Sequence, residues 1–141
     1  MVPQAYSWTC SVCSLDWVKQ AAGLTASSDR YTTCMEIGYT DNVNPTYGLM
    51  DATGSALIQV LESYEQPAAT ARLGFDDVYE RVQETTGCMS GAAWYHWVAL
   101  RGVQDGNLWI ANSAPGYKGV YDILTRADFE RLGPFNVVLL E

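Results

Sequence analysis

Apolar positions recur at helical spacing near the start of the chain and then lose their period. Val12, Leu15, Val18, Ala21 and Ala22 predict a helix that begins at or beside Cys10 and stops where Gly23 supplies a left-handed C′ residue. The stretch "TASSDRYTTCMEIGYTDNVNPTYG" carries many turn formers and no lasting period, which predicts a surface segment with no more than a short strand or a turn of helix. Periodicity then returns twice. Leu57, Ile58, Leu61 and Tyr64 form one helical stripe, and Phe75, Val78, Tyr79 and Val82 form another, opened by Asp76 and Asp77 and closed by Gly87.

After these helices the pattern switches to period two. "WYHWVALRGV" and "NLWIANS" are rich in aromatic and branched residues and flank "QDGN", which predicts a β-hairpin. "GVYDIL" and "FNVVLL" read as further strands, and between them Thr125 caps a short helix in "RADFERLG" that ends at Gly133 and Pro134. Helices in the first two thirds and strands in the last third predict a segregated α+β fold, without alternating βαβ units. With 141 residues and no linker or repeat, residues 1–141 are expected to form a single domain.

Composition narrows the function classes. Hydrophobic residues make up 48% of the chain and charged ones 17%, so it folds around a core. Sixteen acidic against eight basic side chains give a net charge of −8, a field that repels phosphate backbones and argues against nucleic acid as a partner. There is no basic n-region, no apolar h-region and no run of membrane-spanning length, so a soluble chain without an export signal is expected. That is compatible with a cytosolic chain and with one delivered to a cell wall by a phage. Four irregularly spaced cysteines are too few for a disulfide scaffold, which makes free thiols the default.

Cys10 and Cys13 stand three residues apart. A thioredoxin-type redox pair belongs at the end of a strand within a βαβ unit, and none is predicted here. A zinc site needs two further ligands, and Cys34, Cys88 and His96 supply no second close pair. Cys34 and Cys88 read as small buried hydrophobes; Cys13 reads the same way, with a role as competing nucleophile as its alternative. Cys10 differs because a sulfur at a helix N-terminus meets unpaired backbone N–H groups and the positive end of the macrodipole, which with an adjacent imidazolium lowers a thiol pKa to roughly 3.5–7.5. His96, the sole histidine, opens the first hairpin strand, and Asn112 ends the second. With a simple two-residue turn at Asp105 and Gly106, Asn112 would oppose Ala99 and point away from the His96 face. A bulge at Gly106 shifts the register by one and puts both on one face, so a triad of Cys10, His96 and Asn112 predicts a bulge. Asn112 in "NSAPG" reads equally as a turn former.

Gln4, Cys10 six residues later at a helix start, "HWVALRG" from His96, and "LWIANS" ending at Asn112 and Ser113 resemble, in that order, the papain-like cysteine peptidases. The resemblance is to their compact bacterial branch, which includes the double-glycine leader peptidases of bacteriocin export, and it extends to small papain-like domains of tailed phages. It implies an α+β papain-like fold in which an N-terminal helix carrying the nucleophile packs against a C-terminal antiparallel sheet. It further implies Cys10 as nucleophile, His96 as general base and acid, Asn112 as the residue that orients the ring, and Gln4 as an oxyanion donor, with no metal or organic cofactor. Trp8, Trp94 and Trp97 flank this centre and would wall a substrate cleft. The implied function is a peptidase or amidase acting on peptide or isopeptide bonds, in peptidoglycan as a phage lysis or tail-associated enzyme. The alternative is a non-enzymatic papain-like module of a phage particle or of a protein that targets the host. Two residues depart from the leader-peptidase pattern: Ser11 stands where Gly is common, and Asn112 where Asp is usual.

Overall fold

The structure, a computed structural model, describes residues 1, 4, 9–38, 43–44, 48–49, 51–114 and 121–141. Helix α1 spans Cys10–Ala21. Its end is a Schellman motif: Gly23 adopts φ 72°, its N–H returns to Gln20 O at 3.0 Å, and that of Leu24 returns to Lys19 O at 2.8 Å.

The expectation for residues 25–48 is corrected, because Arg30–Gly38 forms a full helix, α2. Asp29 caps it by accepting the Thr32 N–H at 2.9 Å. An apolar stripe does not hold α2 in place, since it buries only Thr33 and Ile37. Polar groups do the rest. Lys19, buried on α1, donates to Glu36 at 2.7 Å and to Thr33 at 3.0 Å, while Asp16 accepts from Thr33, Ser28 and the Asp29 N–H. A helix fastened through hydrogen bonds leaves no hydrophobic period to read.

A two-residue antiparallel pair follows, β1 (Val43–Asn44) with β2 (Gly48–Leu49), and then α3 (Ser55–Ser63) on the predicted stripe. Strand β3 (Ala68–Leu73) and strand β4 (Gly87–Gly91) are additions to the expected elements. Alanine-rich "AATARL" and glycine-bounded "GCMSG" have weak intrinsic strand preference, and both are strands because β8 (Phe135–Leu140) lies between them and pairs with each. Helix α4 (Phe75–Arg81) therefore ends before Gly87, which is a paired strand residue instead of a helix stop. A Cβ at Gly87 would sit 1.8 Å from Val138 O, so glycine is what lets β4 and β8 meet there.

Strands β5 (Trp97–Gln104), β6 (Asn107–Ala111) and β7 (Tyr121–Leu124), with α5 (Arg126–Leu132) before β8, complete the fold. Thr125 Oγ1 accepts the Asp128 N–H at 3.2 Å, the cap expected from the sequence. The antiparallel sheet runs β3-β8-β4-β5-β6-β7. Alternate strand residues feed two cores. Cys88, Trp97, Ala99, Ala111 and Val138 pack under α1, α2 and α3, whereas Met89, Val98, Leu100, Ile110 and Val137 pack under α4 and α5.

The hairpin carries a register shift, but away from its turn. Asp105 and Gly106 adopt φ 53° and 81° in a two-residue turn that pairs Gln104 with Asn107, so the bulge expected at Gly106 is corrected. The shift lies between Leu100 and Gly102, where Gly102 has φ 156°. The extra residue, Arg101, lays its guanidinium 5.0 Å from the Trp109 ring and 4.1 Å from the Tyr121 ring, contacts that hold the bulge in this place. Beyond it Ala99 pairs with Ala111, and continuing the count sets Val98, not Ala99, opposite Asn112.

Candidate active site

The first turn of α1 is fastened to the start of β5 through one residue. The Trp97 N–H donates to Cys10 Sγ at 3.4 Å, and Ser14 Oγ, one turn along, donates to Trp97 O at 3.1 Å. His96 immediately precedes that anchor, so a rigid backbone contact sets its place relative to the sulfur. Its ring is half-buried, and its Nε2 lies 2.7 Å from Asn112 Oδ1.

Which atom donates follows from the surroundings. Asn112 Oδ1 also receives the Ala114 backbone N–H at 3.0 Å, and an amide N–H only donates, so that atom is the carbonyl oxygen. His96 Nε2 must then carry the hydrogen, and in the neutral ring the lone pair is left on Nδ1. The bulge makes the pair possible: His96 and Asn112 are diagonal neighbours on one face because of the shift at Gly102.

Gln4 is buried and tied to the residue after Asn112. Its backbone N–H donates to Ser113 O at 2.8 Å, and its side-chain oxygen accepts the Ser113 hydroxyl at 2.7 Å. Ser113, which ties Gln4 to the end of β6, had no role in the sequence reading; its position beside Asn112 was the available signal. Ser14 and the Trp97 backbone were missed as well, and a serine one helical turn from a cysteine is too common a pattern to have pointed to them.

Burial governs the resting protonation. It raises the Cys10 thiol above its usual range, against the Trp97 N–H and the first-turn amides of Ser11 and Cys10, which favour the thiolate. It lowers His96, against the Asn112 hydrogen bond that favours the imidazolium. The direction at Cys10 is opposite to the depressed thiol that helix position alone would give.

The other cysteines are free thiols with distinct settings. Cys88 is enclosed in the core and burial pushes it up to about 12. Cys34 is half-buried, and Cys13 is buried beside Arg30, Ser113 and Thr9. Among the described residues, no group of three or more His, Cys, Asp or Glu side chains has metal-holding geometry. No helix among them is long and apolar enough to cross a membrane.

The tryptophans separate. Trp94 stacks at a tilt on His96, with centroids 5.0 Å apart, and also touches Phe135. Trp97 is corrected as a cleft residue: only 4% of it is exposed, its indole packs in the core against Gly54, and what it brings to the site is its backbone. Trp8 lies outside the described residues. Tyr95, between Trp94 and His96, has φ 53° and is 89% exposed.

No family model and no curated protein matches the sequence. The fold does have solved counterparts. A double glycine motif protease from an AMS/PCAT transporter, solved in complex with the leader peptide, superposes with a TM-score of 0.75 at 16% identity over 99% of this chain and 89% of that one. The peptidase domain of Streptococcus ComA, a bifunctional ABC transporter of a quorum-sensing pathway, gives 0.74 at 12% identity over 99% and 96%. A C39-like peptidase from Bacillus anthracis gives 0.65 at 15% identity over 100% and 93%. The chain therefore has the α+β papain-like fold of these peptidase domains.

Proposed function

We propose that this chain is a cysteine peptidase that hydrolyses peptide bonds, with Cys10 as nucleophile. The observation that carries the reading is the chain of contacts from Cys10 Sγ through the Trp97 N–H to neighbouring His96, whose Nε2 is held by Asn112 Oδ1.

In this mechanism His96 Nδ1 takes the thiol proton as the sulfur attacks the scissile carbonyl. Asn112 keeps the ring in the tautomer that leaves Nδ1 basic and accepts the Nε2 hydrogen while the imidazolium exists. The Cys10 N–H and the Gln4 amide nitrogen stabilise the oxyanion. Gln4's oxygen is committed to Ser113, which leaves the nitrogen end for that task. The imidazolium then protonates the departing amine, a thioester remains on Cys10, and water activated by the same ring releases the acid. No step calls for a metal or organic cofactor.

A peptide is the substrate best supported, since a protease domain of this fold was solved in complex with a leader peptide. Ser11 in place of the common Gly widens the question to other glycine-containing or cell-wall peptides, including those a phage enzyme would meet. The experiment is digestion of a double-glycine peptide and of purified cell-wall peptides in parallel, followed by mass spectrometry. Cleavage of either by the natural protein and its loss in Cys10→Ala supports the reading, and the cleaved member names the substrate. Cleavage that persists in Cys10→Ala rejects Cys10 as nucleophile.

A further inference from the structure

We propose that Cys13 is a resolving thiol, and that a peroxide-class oxidant converts Cys10 and Cys13 into an intramolecular disulfide that reversibly protects and silences the nucleophile. The proposal rests on the reading of Cys10 as the reactive sulfur of the site.

Both cysteines lie in the first turn of α1. Helical geometry sets Cα atoms three residues apart at about 5 Å, inside the roughly 4.4–6.8 Å that a disulfide spans; their Cβ atoms, about 5–6 Å apart on a regular helix, must close to roughly 3.5–4.5 Å, an adjustment that falls on the first turn of α1. The setting of Cys13 differs from that of a packing cysteine. Cys88 has burial alone acting on its sulfur; at Cys13 burial again prevails and raises the thiol, but the Arg30 guanidinium and the Ser113 and Thr9 side chains oppose it. Arg30 opens α2, the helix fixed to α1 by the Lys19 and Asp16 network, so the cation is held beside Cys13 by the fold. A guanidinium beside a thiol favours the thiolate, which is the attacking species in disulfide formation. Cys34 sits on α2, a different helix.

The chemistry closes without a further reactant. The Cys10 thiolate attacks peroxide, the O–O bond breaks, and Cys10 becomes a sulfenic acid as the peroxide is reduced to water. The Cys13 thiolate attacks that sulfur, the S–O bond breaks, and hydroxide leaves with the thiol proton as a second water. Without a partner, the sulfenic acid proceeds to the irreversible sulfinic acid. A dithiol reductant returns both thiols by exchange.

The test needs no substrate. Cys10 and Cys13 lie before the first basic residue, so trypsin releases both on the peptide Met1–Lys19. After treatment of the whole protein with hydrogen peroxide and alkylation, the expected peptide is unlabelled at both cysteines, lighter by two hydrogens, and restored by dithiothreitol. In Cys13→Ser and Cys13→Ala the same peptide should instead gain oxygen at Cys10, located by fragmentation, and resist dithiothreitol once doubly oxidised. The proposal is overturned if the natural protein accumulates oxygen at Cys10 like the variants, or if its disulfide joins Cys10 to Cys34 or Cys88. Thiol mapping is independent of peptide cleavage, so failure here and failure of the peptidase reading are told apart.

Discussion

Asn112 holds His96 by its oxygen: Oδ1 stands 2.7 Å from the ring Nε2 and is itself fixed by the Ala114 N–H at 3.0 Å. That hydrogen bond raises the imidazole pKa, while burial, the larger effect, lowers it. Removing the acceptor in Asn112→Ala should therefore lower the imidazole pKa further and move the acid limb of the kcat/KM profile to lower pH. The rate itself should fall on the order of 10²-fold, the low end of what a positioned acid–base group contributes. Asn112→Asp should retain more activity and move the acid limb the other way, because a carboxylate stabilises the imidazolium. Limbs that stay in place in both variants would separate Asn112 from the titrating ring.

Ser11 follows the proposed nucleophile, is fully buried, and has a hydroxyl without a hydrogen-bond partner among the described residues. Such a group costs about 1–3 kcal/mol, so Ser11→Ala should raise stability by about 1 kcal/mol in urea unfolding. A lower midpoint would mean that the hydroxyl stabilises the folded chain.

The Lys19–Glu36 pair predicts an alkaline weakness. Burial depresses the Lys19 ammonium, but its bonds to Glu36 and Tyr64 more than compensate, and its pKa lies above the usual lysine value. A base whose folded pKa is raised contributes its full stability below the unfolded value of about 10.4 and loses it as pH climbs through the folded one. Unfolding midpoints should thus fall more steeply above about pH 10 in the natural protein than in Lys19→Met. Glu36→Ala, which strands a buried charge, should cost about 3 kcal/mol at neutral pH and exceed the cost of Lys19→Met. Equal costs would count against the pairing.

The same network shows why part of the fold was hidden in the sequence. Helices α1, α3, α4 and α5 announce themselves through apolar stripes, caps and stops, as do strands β5 to β8 through alternation and the "QDGN" turn. Helix α2 does not, because what fixes it is a set of side-chain hydrogen bonds from Lys19 and Asp16, contributed by a different element. Strands β3 and β4 owe their state to β8, some 45 to 70 residues away, as their pairings with it show. Local pattern carries little trace of such a partner. At the candidate site, Gln4, Cys10, His96 and Asn112 stand out in the sequence through their order, while Trp97's backbone contacts and the Ser113 tie arise only from packing. A bulge was inferable from the need to align His96 with Asn112; its position at Gly102 was not, because Arg101's stacking on Trp109 and Tyr121 joins three strands.

Two glycines should respond differently to a methyl group. At Gly102 a Cβ meets nothing within 4 Å, so Gly102→Ala bears only the backbone cost of φ 156°, about 1–2 kcal/mol. At Gly87 the Cβ would collide with Val138 O, backbone against backbone, and Gly87→Ala should cost clearly more, on the order of 3 kcal/mol or above. Chemical denaturation of the two variants ranks them, and the reverse order would mean that β4 and β8 do not pair in this register.

The most direct test of the catalytic reading is the pH dependence of Cys10 alkylation by iodoacetamide, read peptide by peptide, in the natural protein and in His96→Ala. Because burial raises the isolated thiol, Cys10 can react near pH 6 only by passing its proton to His96. The natural protein should therefore label Cys10 faster there than the more exposed Cys34, and His96→Ala should shift Cys10 reactivity to strongly alkaline pH. Superimposable Cys10 profiles in the two proteins, or Cys13 reacting first, would contradict the account.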